Sequence, residues 1–144
     1  MDTKIPEGFV QMPTVSPYFK HVGPFYFRKT PESYSMGMVT DAKHIRGGNF
    51  VAGGVLFTLS DVAQGHAVAT ALWPEVEDLR RNQIRLVTVS LNNDCVSSAP
   101  INVWIQADVE ITKVGTNVCF SRAVIKYNEK VLITSTATYV VRPE

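Results

Sequence analysis

The sequence predicts an α+β domain in which one long helix and about six antiparallel strands share a core. The helix extends from Gly53 to about Leu72, twenty residues without proline, and Pro74 follows it. From Gln83 onward, four stretches rich in β-branched and aromatic residues alternate with compact turns, which predicts antiparallel strands. Since the 144 residues contain no linker or repeat, we expect a single domain over residues 1–144.

The first 50 residues contain five prolines and predict a short helix followed by two strands. In "SPYFKHVG", Ser16 is the expected cap, Pro17 opens the first turn and Gly23 ends the helix. The two strands are "PFYFRK" and "SYSMGMV". After the long helix, the predicted strands are "QIRLVTVSLNN", "INVWIQADVEITKV", "NVCFSRAVIKY" and "KVLITSTATYVV", with turns at "VGTN" and "YNEK".

The long helix carries apolar residues on all of its sides, which predicts burial all round. At 100° per residue the apolar residues fall in three sectors. One side of the helix has Val55, Leu59 and Val62, the sector beside it has Leu56, Ala63 and Ala67, and the opposite side has Phe57, Val68 and Leu72. One curved sheet covers only one side of a helix, so the other side requires a second subunit. We therefore expect a homodimer at least, or a dimer of dimers. The sector of Phe57, Val68 and Leu72 is the more exposed candidate for the subunit interface, and it contains Asp61.

Asp61 is the acid in the stretch "NFVAGGVLFTLSD", where it follows two glycines and an apolar run. A carboxylate among apolar groups costs free energy, and desolvation raises its basicity, which suits a general base. The alternative is a solvated or hydrogen-bonded acid at a subunit interface. Gly53 and Gly54 open the helix, where glycine permits close approach of a ligand to the backbone.

These residues carry a resemblance to a known family. Two strands, a long helix beginning with "GG", an aspartate eight residues after the first glycine, and four further strands resemble the hotdog fold. More narrowly, the chain is similar to the phenylacetate-pathway (PaaI-type) acyl-CoA thioesterases over nearly its whole length. The resemblance implies a thioester hydrolase in which Asp61 activates water and the Gly53 N–H polarises the carbonyl. It also implies that Thr88, in "LVTVSL", holds the water.

Two positions depart from the family's pattern, on the side of the site that polarises the carbonyl. Ala52 stands where the family has a histidine before the two glycines, and Arg46 replaces the asparagine of an upstream motif in which His44 is retained. Asn49 is a candidate replacement for the lost amide. With Gly54, the residues Asn49, Arg46 and Ala52 make up the expected substrate-binding group around the helix start.

The sequence thus predicts hydrolysis of an acyl-CoA thioester to a carboxylic acid and free coenzyme A, with no cofactor beyond the coenzyme A of the substrate. The alternative is a hotdog protein that binds acyl-CoA without hydrolysing it, which the two departures favour. A hydratase would need Asp61 and a histidine at one site. His66 lies five residues on, about 140° round the helix, so one helix does not supply that pair. Because His66 falls in the apolar sector of Val55, Leu59 and Val62, we expect it instead to be a core histidine bonded to a backbone carbonyl.

Composition and charge bear on other possible classes of protein: those that bind nucleic acid, a membrane or a metal. A formal net charge of +1 gives no sign of nucleic-acid binding, and the N-terminal residues and hydropathy predict neither a signal peptide nor a membrane helix, so a cytoplasmic protein is expected. Cys95 and Cys119 have no metal-ligand spacing and are expected to be buried and reduced. No metal site is predicted. An arginine cluster is either a solvated patch or a contact for coenzyme A phosphates: Arg80, Arg81 and Arg85.

Overall fold

A computed structural model describes residues 4–14, 16–75 and 85–143, which contain two α-helices and nine β-strands. The helices are α1 (Pro17–Val22) and α2 (Gly53–Leu72), and a short 3-10 helix covers Ala42–His44. The strands are β1 (Val10–Gln11), β2 (Tyr26–Lys29), β3 (Tyr34–Val39), β4 (Ile45–Gly47), β5 (Phe50–Val51), β6 (Leu86–Cys95), β7 (Trp104–Val114), β8 (Val118–Tyr127) and β9 (Lys130–Val141).

Both predicted helices are confirmed, including their ends. In α1 the Ser16 hydroxyl accepts a hydrogen bond from the Phe19 N–H at 3.3 Å, Pro17 opens the first turn, and Gly23 is the C-cap. Helix α2 covers the predicted span, and Pro74 follows shortly after its end. Its N-cap is Ala52, which offers no side-chain oxygen, so the first N–H groups of α2 receive no side-chain cap.

The strands form one antiparallel sheet in the order β1-β2-β3-β7-β8-β9-β6 and a separate hairpin, β4-β5. The main sheet has seven strands where about six were expected, because β1 joins its edge beside β2. A two-residue strand is too short to produce an alternating pattern, and so the sequence does not predict it. The β4-β5 hairpin was also not predicted; it leads directly into α2. Of the strand predicted from Gln83, the first two residues lie outside the described part of the chain.

The core lies between α2 and one face of the sheet. Leu56, Leu59 and Ala63 of α2 are buried against inward-facing strand residues such as Ile105 and Ile125. Strand residues alternate between buried and exposed, as expected for a sheet with one covered face. Burial therefore follows the predicted helix pattern on the sheet side.

The sector of Phe57, Val68 and Leu72, which was expected to be the more exposed side of α2, is buried in one part and exposed in another. Val68 is fully buried and packs with Cys119, Ala137 and Tyr139, whereas Phe57 in the same sector remains 37% exposed. The sheet reaches far enough round α2 to cover the last turns of this sector but not the first. An open face therefore remains near the start and middle of α2.

A buried polar network fixes α2 against the sheet. The Gln64 amide N–H donates to the Ser135 hydroxyl at 2.9 Å and to the Ser60 carbonyl at 3.2 Å, while its oxygen accepts from the Ser121 hydroxyl at 2.8 Å. The Ser60 hydroxyl bonds the Asn93 side-chain oxygen on β6 at 2.8 Å. Directional bonds of this kind set the rotation of the helix, which apolar packing alone leaves loosely specified.

The two cysteines differ from each other. Cys119 is fully buried, as predicted, but Cys95 is exposed at the end of β6, so the predicted burial of Cys95 was wrong. The sequence pattern places Cys95 in a strand but does not show that this strand lies at the sheet edge.

Within the described ranges, no helix is both long and apolar enough to cross a membrane.

Candidate active site

Asp61 lies in the middle of α2, and two hydroxyl groups hold its carboxylate. The Thr88 hydroxyl on β6 donates to Oδ1 at 3.0 Å. The Tyr139 hydroxyl on β9 is 3.0 Å from the Asp61 backbone carbonyl oxygen and 3.2 Å from Oδ1. Both contacts to the carboxylate use the same oxygen, and among the described residues Oδ2 accepts no hydrogen bond. The carboxylate is therefore fixed on one side and available on the other.

The sheet brings the two hydroxyls together. Thr88 and Tyr139 are directly paired across β6 and β9, and the register shifts by one residue immediately afterwards, between Thr88 and Ser90. The extra residue at this bulge, Val89, is 55% exposed. Bulges change the direction of side chains and often occur beside functional sites.

Tyr139 is a site residue that the sequence did not predict. Its ring is buried, and burial, the Asp61 negative charge and the hydrogen bond to Asp61 all raise the pKa of the Tyr139 hydroxyl. Tyr139 therefore stays protonated and donates to Asp61. An inward-facing tyrosine at the end of β9 carries a polar atom into the core, a signal visible in the sequence, but its partner could be identified only from the fold.

A cavity of about 240 Å³ adjoins Asp61. Its polar lining comes from Asp61, His66, Thr88 and Tyr139. The remaining lining is apolar or small and comes from α1, the segment before it, α2 and β6: Met12, Phe19, Val62, Gly65, Ala69 and Leu86. A mostly apolar cavity with a few convergent polar groups is typical of a site for a small organic ligand.

His66 lines the same cavity as Asp61, contrary to the expectation that their separation round the helix would keep them apart. The 140° separation holds for the backbone, but the cavity follows the helix face and both side chains reach it. The expected backbone partner was also wrong: Nδ1 of His66 is bonded to the Tyr34 hydroxyl, and the ring lies edge-on to Phe27 with ring centroids 4.7 Å apart. Burial, with a smaller effect of the Lys29 charge, lowers the pKa of His66 to about 4.

The hydrogen bond to Tyr34 fixes the tautomer of His66. Burial raises the pKa of the Tyr34 hydroxyl, which therefore keeps its proton. If Nδ1 were the donor, the Tyr34 proton would have no acceptor among the described residues, at a cost of roughly 1–3 kcal/mol. Tyr34 therefore donates to Nδ1, and the neutral imidazole carries its own proton on Nε2.

The start of α2 presents backbone N–H groups. Gly53 and Gly54 occupy the first two helical positions, whose N–H groups have no acceptor within a helix. Ala52 is extended and donates its own N–H to the His44 carbonyl at 2.8 Å, which fixes the chain entering the helix. Along the axis of one helix, Gly53 lies about 12 Å from Asp61 because eight residues separate them. The described chain therefore does not bring the two predicted catalytic groups together within one subunit.

The residues upstream of α2 lie on the β4-β5 hairpin. Arg46 lies on β4, Asn49 lies in the turn between β4 and β5, and both residues are exposed. Neither lines the cavity beside Asp61. His44 is buried, with Nε2 at 2.7 Å from the Val22 carbonyl and Nδ1 accepting from the Asp41 N–H, so it holds the fold rather than a ligand.

Of the predicted arginine cluster, Arg80 and Arg81 lie outside the described residues. Arg85 is positioned over the Trp73 ring at 5.2 Å and donates to the Arg142 carbonyl at 3.1 Å. Its guanidinium thus has partners within this chain.

Comparison with known proteins confirms the fold and the resemblance drawn from the sequence. No protein-family model matches the chain. A Pseudomonas aeruginosa protein, PA0474, which carries the provisional name of an esterase, is 27% identical over 136 residues, covering 94% of this chain and 96% of its own.

Among solved structures, zebrafish thioesterase superfamily member 2 superposes with a TM-score of 0.71 at 21% identity, covering 88% of each chain. A variant of the phenylacetic acid degradation protein PaaI from Thermus thermophilus superposes with a TM-score of 0.67 at 18% identity, over 89% of this chain and 100% of that one. The chain has the hotdog fold that these proteins share.

Proposed function

We propose that the protein is an acyl-CoA thioesterase that hydrolyses a thioester to a carboxylic acid and free coenzyme A. The observation that carries this proposal is the Asp61 carboxylate, held at Oδ1 by two hydroxyls, with Oδ2 unpaired within the described chain, beside a largely apolar cavity. Similarity to proteins named as thioesterases, and to one with the provisional name of an esterase, supports the same reaction class.

The chemistry assigns a role to each end of the site. Asp61 takes a proton from water as the water oxygen attacks the thioester carbonyl carbon. The negative charge that develops on the carbonyl oxygen is stabilised by the N–H of Gly53 and the helix dipole. The carbon–sulfur bond then breaks, and the leaving thiolate receives the proton that Asp61 accepted. Thr88 keeps the carboxylate oriented during these steps, and holding the water is a further role we propose for its hydroxyl.

Two subunits are needed to assemble this site. A carbonyl oxygen must lie about 3 Å from the N–H that stabilises it, and the attacking water must reach both the carbonyl carbon and the base. The separation of about 12 Å between Gly53 and Asp61 along one helix is too large for a single thioester. In a two-fold dimer with antiparallel α2 helices, Gly53 of one subunit faces Asp61 of its partner, which gives two equivalent sites.

The surface next to Asp61 supports such a dimer. Strand β6 forms one edge of the sheet, with one side of its backbone unpaired within the described chain. Two exposed apolar side chains are near these residues in the sequence: Val89 follows Thr88 on β6, and Phe57 precedes Asp61 on α2. An apolar surface beside an open sheet edge is typical of a subunit interface. We expect a dimer at micromolar concentration, and a folded monomer in analytical ultracentrifugation would contradict it.

The reaction is tested by Asp61→Asn in an assay that detects free thiol released from a panel of acyl-CoAs. The amide keeps the shape of the side chain but not its basicity, so turnover should fall by on the order of 10² or more while coenzyme A binding changes little. Asp94→Asn is the matched control, because Asp94 is an exposed acid on the same strand as Thr88 and does not line the cavity. Turnover of Asp61→Asn within threefold of wild type would remove Asp61 from the mechanism.

The same acyl-CoA panel distinguishes a thioesterase from a protein that only binds thioesters. If the wild-type protein binds acyl-CoAs but releases no thiol from any of them, it is a thioester-binding protein and not a hydrolase. Two features favour binding without hydrolysis. Ala52 stands where the pattern of the PaaI-type thioesterases has a histidine, and Asn49 is exposed.

A further inference from the structure

His66 is a partly buried polar side chain that the proposed mechanism does not use. It lines the cavity beside Asp61, five residues further along α2, which corresponds to about 7.5 Å along the helix axis. An acyl group whose thioester carbonyl is at Asp61 would therefore extend toward His66 when it fills the cavity.

The free atom of His66 is its Nε2. Nδ1 is bonded to Tyr34, and Nε2 has no partner among the described residues. Every fully buried side-chain nitrogen or oxygen in the described chain has a partner, so Nε2 is not fully enclosed, and the cavity is an open space that His66 lines. Because Tyr34 donates to Nδ1, Nε2 carries the proton and is a hydrogen-bond donor.

We propose that His66 is a specificity-determining residue of the acyl cavity and selects acyl groups with a hydrogen-bond acceptor, such as a hydroxyl or keto oxygen, at their distal end. The inference rests on the proposed thioesterase function. A site with an unpaired donor binds a ligand that pairs it better than one that leaves it desolvated and unpaired. Since the pKa of His66 is lowered to about 4, the ring is neutral at neutral pH and acts as a donor without charge.

The size of the cavity sets the length of the acyl group. At about 30 Å³ for each water-sized group, 240 Å³ holds roughly eight non-hydrogen atoms. Two probes of this size differ only at the distal atom: the 6-hydroxyhexanoyl group, which ends in a hydroxyl, and the heptanoyl group, which ends in a methyl. The ratio of their kcat/KM values as coenzyme A thioesters measures the preference for the acceptor.

Two substitutions distinguish the roles of the two ring nitrogens of His66. In His66→Asn, the amide oxygen lies two bonds from Cβ, as Nδ1 does, so it retains an acceptor for Tyr34 but removes the distal donor. In His66→Gln, the amide nitrogen lies three bonds from Cβ, as Nε2 does, so the distal donor is retained. Met12→Leu is the control for general repacking, because Met12 lines the same cavity and the exchange conserves volume without adding a polar group.

We expect the wild-type protein to prefer the hydroxylated probe by about tenfold, the value of one well-made neutral hydrogen bond. Met12→Leu and His66→Gln should keep most of that preference, and His66→Asn should bring the ratio to about one. A wild-type ratio of one, or an unchanged ratio in His66→Asn, would overturn the proposal. If no thioester is hydrolysed, the thioesterase proposal fails by itself, and calorimetric binding of the same two thioesters still tests the preference.

Discussion

The two ends of the proposed reaction centre differ in how much of their surroundings one chain provides. In the middle of α2, Asp61 has two hydroxyl partners, Thr88 and Tyr139, and a cavity beside it. At the start of α2, Gly53 and Gly54 follow an N-cap with no side-chain hydrogen bond, and a Cβ built on Gly54 would meet no atom within 4 Å. The Asp61 carboxylate is held entirely by contacts within one chain, whereas the helix start is left open.

This difference indicates which part of the site depends on assembly. The orientation of Asp61 is a property of the folded monomer, because every contact that holds it comes from α2, β6 and β9. The N–H groups at the helix start acquire a function only when another molecule or another subunit approaches them. Substitutions in the two regions should therefore differ in whether a partner subunit can compensate for them.

The largest expected effect comes from combining one substitution in each region. Gly53→Pro removes the N–H at a first helical position, which tolerates proline, and the extended conformation of Ala52 is the one that precedes a proline. Gly53→Pro and Asp61→Asn should each reduce turnover by about 10²-fold or more. After the two are unfolded and refolded together, about half of the dimers are mixed, and one of their two sites carries neither lesion. Roughly a quarter of wild-type activity should return.

The control for the first region is Gly53→Ala, which retains the N–H. Its Cβ would lie 3.8 Å from the Phe57 ring, an ordinary contact, so the helix start should be undisturbed. Circular dichroism must show that Gly53→Pro folds. Should both variants fold and form mixed dimers while activity stays at the level of either one alone, the shared site is wrong.

The next effect concerns stability in the middle of α2, where His66 is partly buried. Its pKa is about 4 in the folded protein and 6.5 when unperturbed, so the unfolded chain binds the proton first as the pH falls. Stability is full above about pH 6.5 and decreases down to about pH 4, by about 2 kcal/mol between pH 7.5 and 5. Urea unfolding at each pH measures this change. His66→Asn should flatten the dependence over that window, and an equal slope in both proteins would show that His66 does not cause it.

The two hydroxyls that hold Asp61 should differ in their contributions. Tyr139 is buried and bonded to both the backbone and the side chain of Asp61, whereas Thr88 is exposed. We expect Tyr139→Phe to lower turnover by about tenfold and stability by about 1 kcal/mol, and Thr88→Val to have a smaller effect on stability. Free-thiol release and thermal unfolding provide the two readouts. A loss of turnover in Thr88→Val that exceeds the loss in Tyr139→Phe would indicate that Thr88 also acts on the water.

The smallest effect is expected at the open end of the helix. Gly54→Ala adds a methyl group where no atom lies within 4 Å and removes backbone freedom from the unfolded chain. It should stabilise the protein by about 0.5 kcal/mol, measured by the urea midpoint. Destabilisation would show that this surface is already covered, which is the result expected if a partner subunit packs tightly on Gly54.

The sequence by itself determined both α-helices and the six longer strands, and it singled out Asp61 as a candidate site residue. Proline and glycine positions defined both helices, because proline breaks the backbone hydrogen-bond ladder and glycine ends it at low cost. Asp61 stood out because a carboxylate in an apolar helical stretch needs a reason, and the adjacent glycines marked the helix start. These signals are local, so they can be read without knowing the fold.

Only the tertiary structure decided which distant residues meet. The pairing of Thr88 with Tyr139 depends on the register between β6 and β9, which is set by packing and by a bulge that no short sequence pattern reveals. The cavity that joins Asp61 and His66 exists because α1, the segment before it and strands β6 and β9 all contribute walls beside α2. Helix geometry predicts the direction of each side chain from the axis, but the walls of a cavity come from several elements at once, and their arrangement is a property of the whole packed chain.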